Sequence, residues 1–357
     1  MRIAHAFRPT VPSTRAQVLQ VVHTCHALAA RGHDVTIWAN PAMNAPKDHE
    51  ALLAAWGLAG VPGLHIELAP TRWSPGAGLW FRWKLGSWCD RATPDSVVYL
   101  RELKYLGVIG ERPRVVYEAH CLERQRAAEE GGEPGVMEAM ERAALGRSGG
   151  IIANSGGTMS ALEEAYGSAL PEVRRVIHNA TAPDRVVEAV PSLPPVVGYA
   201  GSARSYKGVR GLVEAMAGLP EITLEIIGES PTGSLPPNVC WVPTVPYMDL
   251  PPRLARCRAL VLPLEDNTFG RRYTSPLKLW DYLATGIPIV AADLPSVREI
   301  AGDLPFYYPA GSGEGLRAAV LAAIQSPTRG RRIRTWDDRA AEVESLLAEV
   351  IARPSSR

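Results

Sequence analysis

Two opposite charges three positions apart, Lys278 and Asp281, stand inside the otherwise apolar stretch TSPLKLWDYLATG at residues 274–286. On a helix, Lys278, Asp281 and Thr285 share one stripe, leaving Leu277, Leu279, Trp280, Leu283 and Ala284 to bury. Ser275 is a good N-cap and Pro276 suits a first turn, so the helix is expected to open there. Its first N–H groups would then form an anion site. A lysine one turn in would meet a phosphate. A carboxylate two turns in would accept both hydroxyls of a sugar diol, through charge-assisted bonds worth roughly 1.5 to 3 kcal/mol. The plain alternative is a surface lysine and aspartate on an amphipathic helix, and spacing alone does not separate the two.

Other stretches offer chemistry with the same ambiguity. In VVYEAHCLERQ, His120 falls just past a strand-like run, and Glu118 and Glu123 either orient it or are simply solvated. In FRPTVPSTRAQ, Thr14 and Arg15 open a helix and offer N–H groups and a charge to a phosphate, or serve as a plain cap and a surface arginine. Residues 72–91, RWSPGAGLWFRWKLGSWCDR, hold four of the nine tryptophans (Trp73, Trp80, Trp83, Trp88) together with three arginines and Lys84. Such mixing suits a core, a sugar-stacking surface or a membrane interface.

The elements that must position these residues alternate regularly. Strand-like runs at 2–7, 34–39, 64–69, 96–100, 114–119 and 150–155 are followed, after a proline-rich stretch, by runs at 196–201, 223–228, 239–243, 259–264, 288–292 and 305–309. Helical patterns fall between them, beginning with 15–30, and this is the signature of parallel sheets covered on both faces. A length of 357 residues also favours two domains over one core. The expected division is a Rossmann-like domain at 1–180, a linker at 181–195 with four prolines, and a second Rossmann-like domain at 196–335. Two such α/β sheets facing each other leave a cleft at the carboxyl ends of their strands.

Composition narrows the partners. A hydrophobic content of 46% with a net charge of +1 fits a globular protein and gives no reason to expect nucleic acid. Five scattered cysteines without a CxxC pair argue against a zinc site or a disulfide framework. The start MRIAHAF lacks the zones of a signal peptide, and no long apolar run follows, so the expected location is cytoplasmic, with peripheral contact to the inner membrane face through 72–91 as a further possibility.

The stretch TSPLKLWDYLATGIPIVAADLPSVREI resembles the nucleotide-sugar-binding segment of retaining family 4 glycosyltransferases of the two-Rossmann GT-B fold. VVGYAGSARSYKGVRGLVEAM and TWDDRAAEVESLLAEVI are similar to the opening of that family's C-terminal domain and to its closing helix. The resemblance implies that 336–357 packs back toward the N-terminal domain. It also implies transfer of a sugar from a nucleoside diphosphate sugar to an acceptor hydroxyl of a saccharide, lipid-linked or small molecule, with retention and without metal or other cofactor. Asp281 then matches the residue holding the ribose, Lys207 the one gripping the diphosphate, and His120 the histidine that hydrogen-bonds the donor sugar. Gly201, Ser202, Tyr273, Thr274, Ser275, Pro276, Leu277 and Lys278 complete the implied donor site, with His120 and Lys207 as its catalytic pair. Ser202 stands where many relatives carry an arginine, so Arg204, Arg271 or Arg272 is left to supply that charge, while Arg15 is the possible phosphate contact of the first loop. Tyr273 replaces the first acid of the family's paired-glutamate motif, and the first loop lacks the usual Gly-Gly. These departures keep two alternatives open: an epimerase or hydrolase on the same fold, and a catalytically silent sugar-nucleotide-binding subunit.

Overall fold

A computed structural model describes residues 1–182, 187–231, 233–328 and 330–354, apart from the Ser205 side chain. The chain divides into two compact units, Met1–His178 with Trp336–Arg357, and Asn179–Thr335.

The first unit is built on β1 (Arg2–Ala6), β2 (Thr10–Val11), β3 (Asp34–Pro41), β4 (Leu64–Leu68), β5 (Ser96–Leu100), β6 (Arg114–Ala119), β7 (Gly150–Ala153) and β8 (Val173–Val176). They pair in the order β2-β3-β1-β5-β6-β7-β8, with β4 on β3, and every pair is parallel. Strands β5 and β7 are buried along their whole length, which explains their unbroken apolar runs in place of an alternating pattern. The closing helix Trp336–Ala352 belongs to this unit and buries Trp336, Arg339, Ala340, Val343, Leu346, Leu347 and Val350.

The second unit carries β9 (Val196–Gly201), β10 (Thr223–Gly228), β11 (Val239–Val242), β12 (Ala259–Leu262), β13 (Ile289–Ala292) and β14 (Phe306–Tyr308). Their parallel order, β11-β10-β9-β12-β13-β14, is the 3-2-1-4-5-6 of a doubly wound sheet. It reverses direction between β9 and β12, and the loops leaving the carboxyl ends of those two strands hold most of the candidate donor residues.

Three features depart from the sequence reading. Strands β2 and β8 were not anticipated, the first because two residues carry no pattern, the second because VRRV has two arginines at its centre. The stretch 181–195 is more than a bare connector. Thr181 donates its N–H to the Arg334 carbonyl at 2.9 Å, and Val190 and Ser192 donate to the carbonyls of Ala255 and Arg256 at 2.8 and 2.9 Å. Residues 183–186 of this stretch lie outside the described residues. The tryptophans of 72–91 split, with Trp88 buried, Trp80 half-buried, and Trp73 and Trp83 on the surface of the helix Ser74–Asp90 and its approach.

Candidate functional site

Strand β9 ends at Gly201, and Lys278 lies in the first turn of the helix Leu277–Thr285. The Lys278 Nζ sits 3.8 Å from the centre of the Tyr199 ring, fully enclosed and without a hydrogen-bond acceptor. Gly201 makes this placement possible, since a Cβ there would collide with the ammonium group. Burial holds Lys278 well below the ordinary lysine range, and repulsion from Lys207 adds to the effect. Lys207, at the end of the turn Ser205–Lys207, lies 4.6 Å from the Tyr206 ring centre. Burial, then the neighbouring Arg204, lower it to about 8. The tyrosine faces give both lysines a cation–π contact, but no described carboxylate pairs with either. Ser202 contributes its carbonyl, which accepts from the Tyr199 hydroxyl at 2.7 Å and so fixes the ring beneath Lys278. The result is two lysines brought together in enclosed surroundings with no described counter-charge.

The helix starts one residue later than the sequence reading placed it. Pro276 occupies the N-cap position with extended backbone and makes no capping bond, while the Ser275 Oγ is enclosed without a partner. The preceding loop is the cause. Residues Phe269–Tyr273 form a π turn, and Thr274 ties back to the Phe269 carbonyl through both its N–H at 2.9 Å and its Oγ1 at 2.7 Å. Ser275 is then held by Asn179 Nδ2, which donates to its carbonyl at 3.0 Å. Tyr273 packs edge-on against Phe269 and, like Thr274, Pro276 and Leu277, is buried.

Asp281 is half-buried, and its Oδ1 accepts from the Thr181 hydroxyl at 2.7 Å. Thr285 does not share an open stripe with it. Thr285 is buried, donating to the Tyr282 carbonyl at 2.7 Å and accepting from the Ile287 N–H at 3.1 Å, and so closes the helix before the left-handed Gly286. Of the candidate phosphate contacts, Arg204 lies near enough to act on Lys207, and Arg271 is engaged by Asp266 at 3.1 Å. Arg272 belongs to the same π turn as Arg271. Arg15 lies in the other unit, exposed at the N-cap of the helix Ala16–Ala30, with its N–H donating to Ser13 Oγ at 3.2 Å.

In the first unit, His120 leaves β6 with its Nε2 3.2 Å from Glu118 Oε1 and beside the Arg101 guanidinium. Burial and Arg101 push the imidazole down to about 4, so the ring is neutral at neutral pH. Its Nε2 faces both groups, donating to Glu118 when it carries the proton and accepting from Arg101 when the proton is on Nδ1. Glu118 is itself buried and accepts from Gln20 Nε2 and Arg339 Nη2, each at 2.8 Å. Burial raises its pKa, but Arg339, His120 and Arg101 outweigh burial and hold it well below the usual carboxylate range. Arg339, also fully buried, donates further to Thr24 Oγ1 at 3.0 Å and to the carbonyls of Ile177 and His178 at 2.7 and 2.9 Å. Glu123 takes no part here, since its carboxylate pairs with Arg126.

Arg339, Arg101 and Gln20 were missed in the sequence. For Arg339 a signal existed: it stands on the apolar stripe with Val343, Leu346 and Val350, where a surface arginine has no place.

Comparison with known proteins agrees with this architecture. The Glycosyltransferase Family 4 model matches residues 17–185, and the Glycosyl transferases group 1 model matches residues 194–326. No curated protein matches the chain. Among solved structures, sucrose-phosphate synthase from Thermosynechococcus elongatus is 18% identical, with a TM-score of 0.67 over 98% of this chain and 96% of the other. HepE from Anabaena, in complex with UDP and glucose, is 17% identical at a TM-score of 0.66, covering 98% and 97%. WaaG, a glycosyltransferase involved in lipopolysaccharide biosynthesis, is 17% identical at 0.65, covering 99% and 100%. At these identities the structural likeness establishes the fold, two parallel-sheet α/β domains of GT-B type. With one family model matched to each half of its length, the chain belongs to the family 4, group 1 glycosyltransferases.

Proposed function

We propose that the protein transfers a sugar from a nucleoside diphosphate sugar to an acceptor hydroxyl, with retention at the anomeric carbon. The observation that carries this reading is the enclosed, acceptor-less Lys278 Nζ beside Lys207. A buried ammonium without a partner is costly, and a second cation next to it raises that cost. A diphosphate relieves both, and the HepE relative, solved with UDP and glucose, supports that class of ligand.

In this mechanism Lys278 and Lys207 hold the diphosphate, with Gly201 and Ser202 framing it and Arg204 adding charge from nearby. As the bond from the anomeric carbon to the leaving phosphate oxygen breaks, the acceptor oxygen bonds to that carbon and its proton passes to the departing diphosphate, whose growing charge the lysines stabilise, which needs neither a metal nor another cofactor. Asp281 accepts from the ribose while keeping its bond to Thr181. His120, neutral and held by Glu118, hydrogen-bonds a donor-sugar hydroxyl and transfers no proton.

The test is calorimetric titration with UDP and ADP in two buffers of different ionisation enthalpy. Because burial favours the neutral amine, binding of a diphosphate should draw a proton onto the site. Lys278→Met should abolish that uptake and weaken affinity by roughly 1.5 to 3 kcal/mol, the worth of a hydrogen bond to a charged group, while leaving the free protein as stable or more so. Unchanged affinity and proton uptake in a folded Lys278→Met variant would refute the assignment. Donor turnover with and without acceptor then separates transfer from hydrolysis, from epimerisation and from a silent subunit.

A further inference from the structure

The helix Ser74–Asp90 is anchored by Ala77, Phe81, Leu85, Trp88 and Cys89, with Phe81 packed 4.3 Å from Tyr105 and 5.9 Å from Trp38 between ring centres. Its anchoring is therefore complete. On the opposite side, Leu79 is 68% and Trp83 65% exposed, and they are neighbours at i and i+4. Trp73 is 66% exposed, and its ring lies so close along the helix start that only a glycine at position 76 leaves room for it. Met43, 78% exposed, adjoins this end of the helix, because its carbonyl accepts from the Arg72 guanidinium.

Single exposed apolar residues need no explanation, but two tryptophans, a leucine and a methionine grouped on one side do. A helix buries its apolar stripe against the core, and here Leu79 and Trp83 form a second apolar strip on the exposed side. Its charges indicate the occupant. No aspartate or glutamate occurs between Ala69 and Cys89. Arg72 and Arg82 flank the apolar stripe, and both are exposed and spend their guanidinium bonds on carbonyls, of Met43 and Lys104, with no described carboxylate paired to either. Lys84, by contrast, is paired with Glu67. Exposed indole rings beside unpaired guanidinium groups match the headgroup layer of an anionic bilayer, where aromatic rings settle at the interface and arginines meet phosphate. No described helix is long and apolar enough to cross a membrane, so the contact is made by one face.

We infer that Trp73, Leu79 and Trp83, flanked by Arg72 and Arg82, form a docking face for an anionic lipid surface. Trp73 and Leu79, and not the half-buried Trp80, accompany Trp83 as the inserting residues.

The test uses the full chain with vesicles of phosphatidylcholine, with and without phosphatidylserine, at low and at physiological salt. Sedimentation should show binding to the anionic vesicles that weakens with salt. Arg72→Gln/Arg82→Gln should reduce affinity by roughly fivefold per residue, and Trp73→Ser/Leu79→Ser/Trp83→Ser should abolish binding with an unchanged circular dichroism spectrum. Absence of binding to anionic vesicles, or binding that the triple substitution leaves intact, would overturn the inference. So would a concentration-dependent dimer dispersed by the same triple substitution, since the face would then belong to a second copy of the chain. Because the readout is lipid binding, its failure leaves the transferase reading untouched.

Discussion

Arg339→Met tests how the first unit holds His120. The arginine is fully buried and donates to four acceptors: Glu118 Oε1, Thr24 Oγ1 and the carbonyls of Ile177 and His178. Methionine fills much of the volume but leaves Glu118 as a buried carboxylate without its principal counter-charge. Breaking a buried pair in this way costs about 3–5 kcal/mol, a large share of the 5–15 kcal/mol that holds a typical domain folded. Urea unfolding at neutral pH measures the loss. A second substitution makes the cause specific. Glu118→Gln removes the charge that Arg339 neutralises, so the double variant should lose less than the two single losses combined. The pH dependence has a definite sign. Glu118 has a depressed folded-state pKa, so its contribution is present above the ordinary carboxylate pKa and lost as pH falls through the folded value. The gap between wild type and Arg339→Met should therefore narrow in acid. A loss below about 1 kcal/mol, or strict additivity of the two substitutions, would refute the claim that the closing helix supports His120 through this pair.

Two further outcomes follow from other groups. Glu141, buried and accepting from Tyr117 and Tyr166 at 2.9 and 2.8 Å, is raised by burial to about 7. Its contribution is full below the ordinary glutamate pKa and lost as pH rises through about 7, so Glu141→Gln should gain on wild type by up to about 1.4 kcal/mol per pH unit between roughly pH 5 and 7; a gap independent of pH in urea titrations would count against it. Lys207→Ala should slow single-turnover transfer more than it weakens donor binding, because its charge matters most as the diphosphate leaves, and equal losses would make it a ground-state anchor.

The parts of this molecule that could be read from sequence are those set by neighbours along the chain. Each of the twelve anticipated runs overlaps a strand because it is a short apolar run, rich in Val, Ile or aromatic residues or set between turn formers, a pattern carried by neighbours along the chain. The start of the helix at Leu277 could not be placed to the residue, because it depends on Asn179, nearly one hundred positions away, and on a π turn with no pattern of its own. The tryptophans of 72–91 could not be divided between core and surface for a similar reason: apolar residues occur on more than one side of the helix, and residues distant in sequence, Trp38 and Tyr105 among them, receive the side that turns inward.

Lys278 combines both kinds of information. Its place at the start of a helix after Ser-Pro was legible. Its lowered pKa was not, because that property belongs to an enclosure made by Tyr199 and Gly201 on a strand and by Lys207 on a turn, all some seventy or more positions upstream. His120 repeats the pattern in the other unit: its position after a strand is local, whereas its neutral state depends on burial and then on Arg101, and its orientation on a glutamate that Arg339 holds from the far end of the chain. The sequence neighbourhood thus names the candidate group, while its protonation state is set by residues that only the fold brings to it. That is why the tests proposed for Lys278 and for Arg339 read protons as well as affinity or stability: a side chain placed correctly but enclosed wrongly would pass a binding assay and fail the titration.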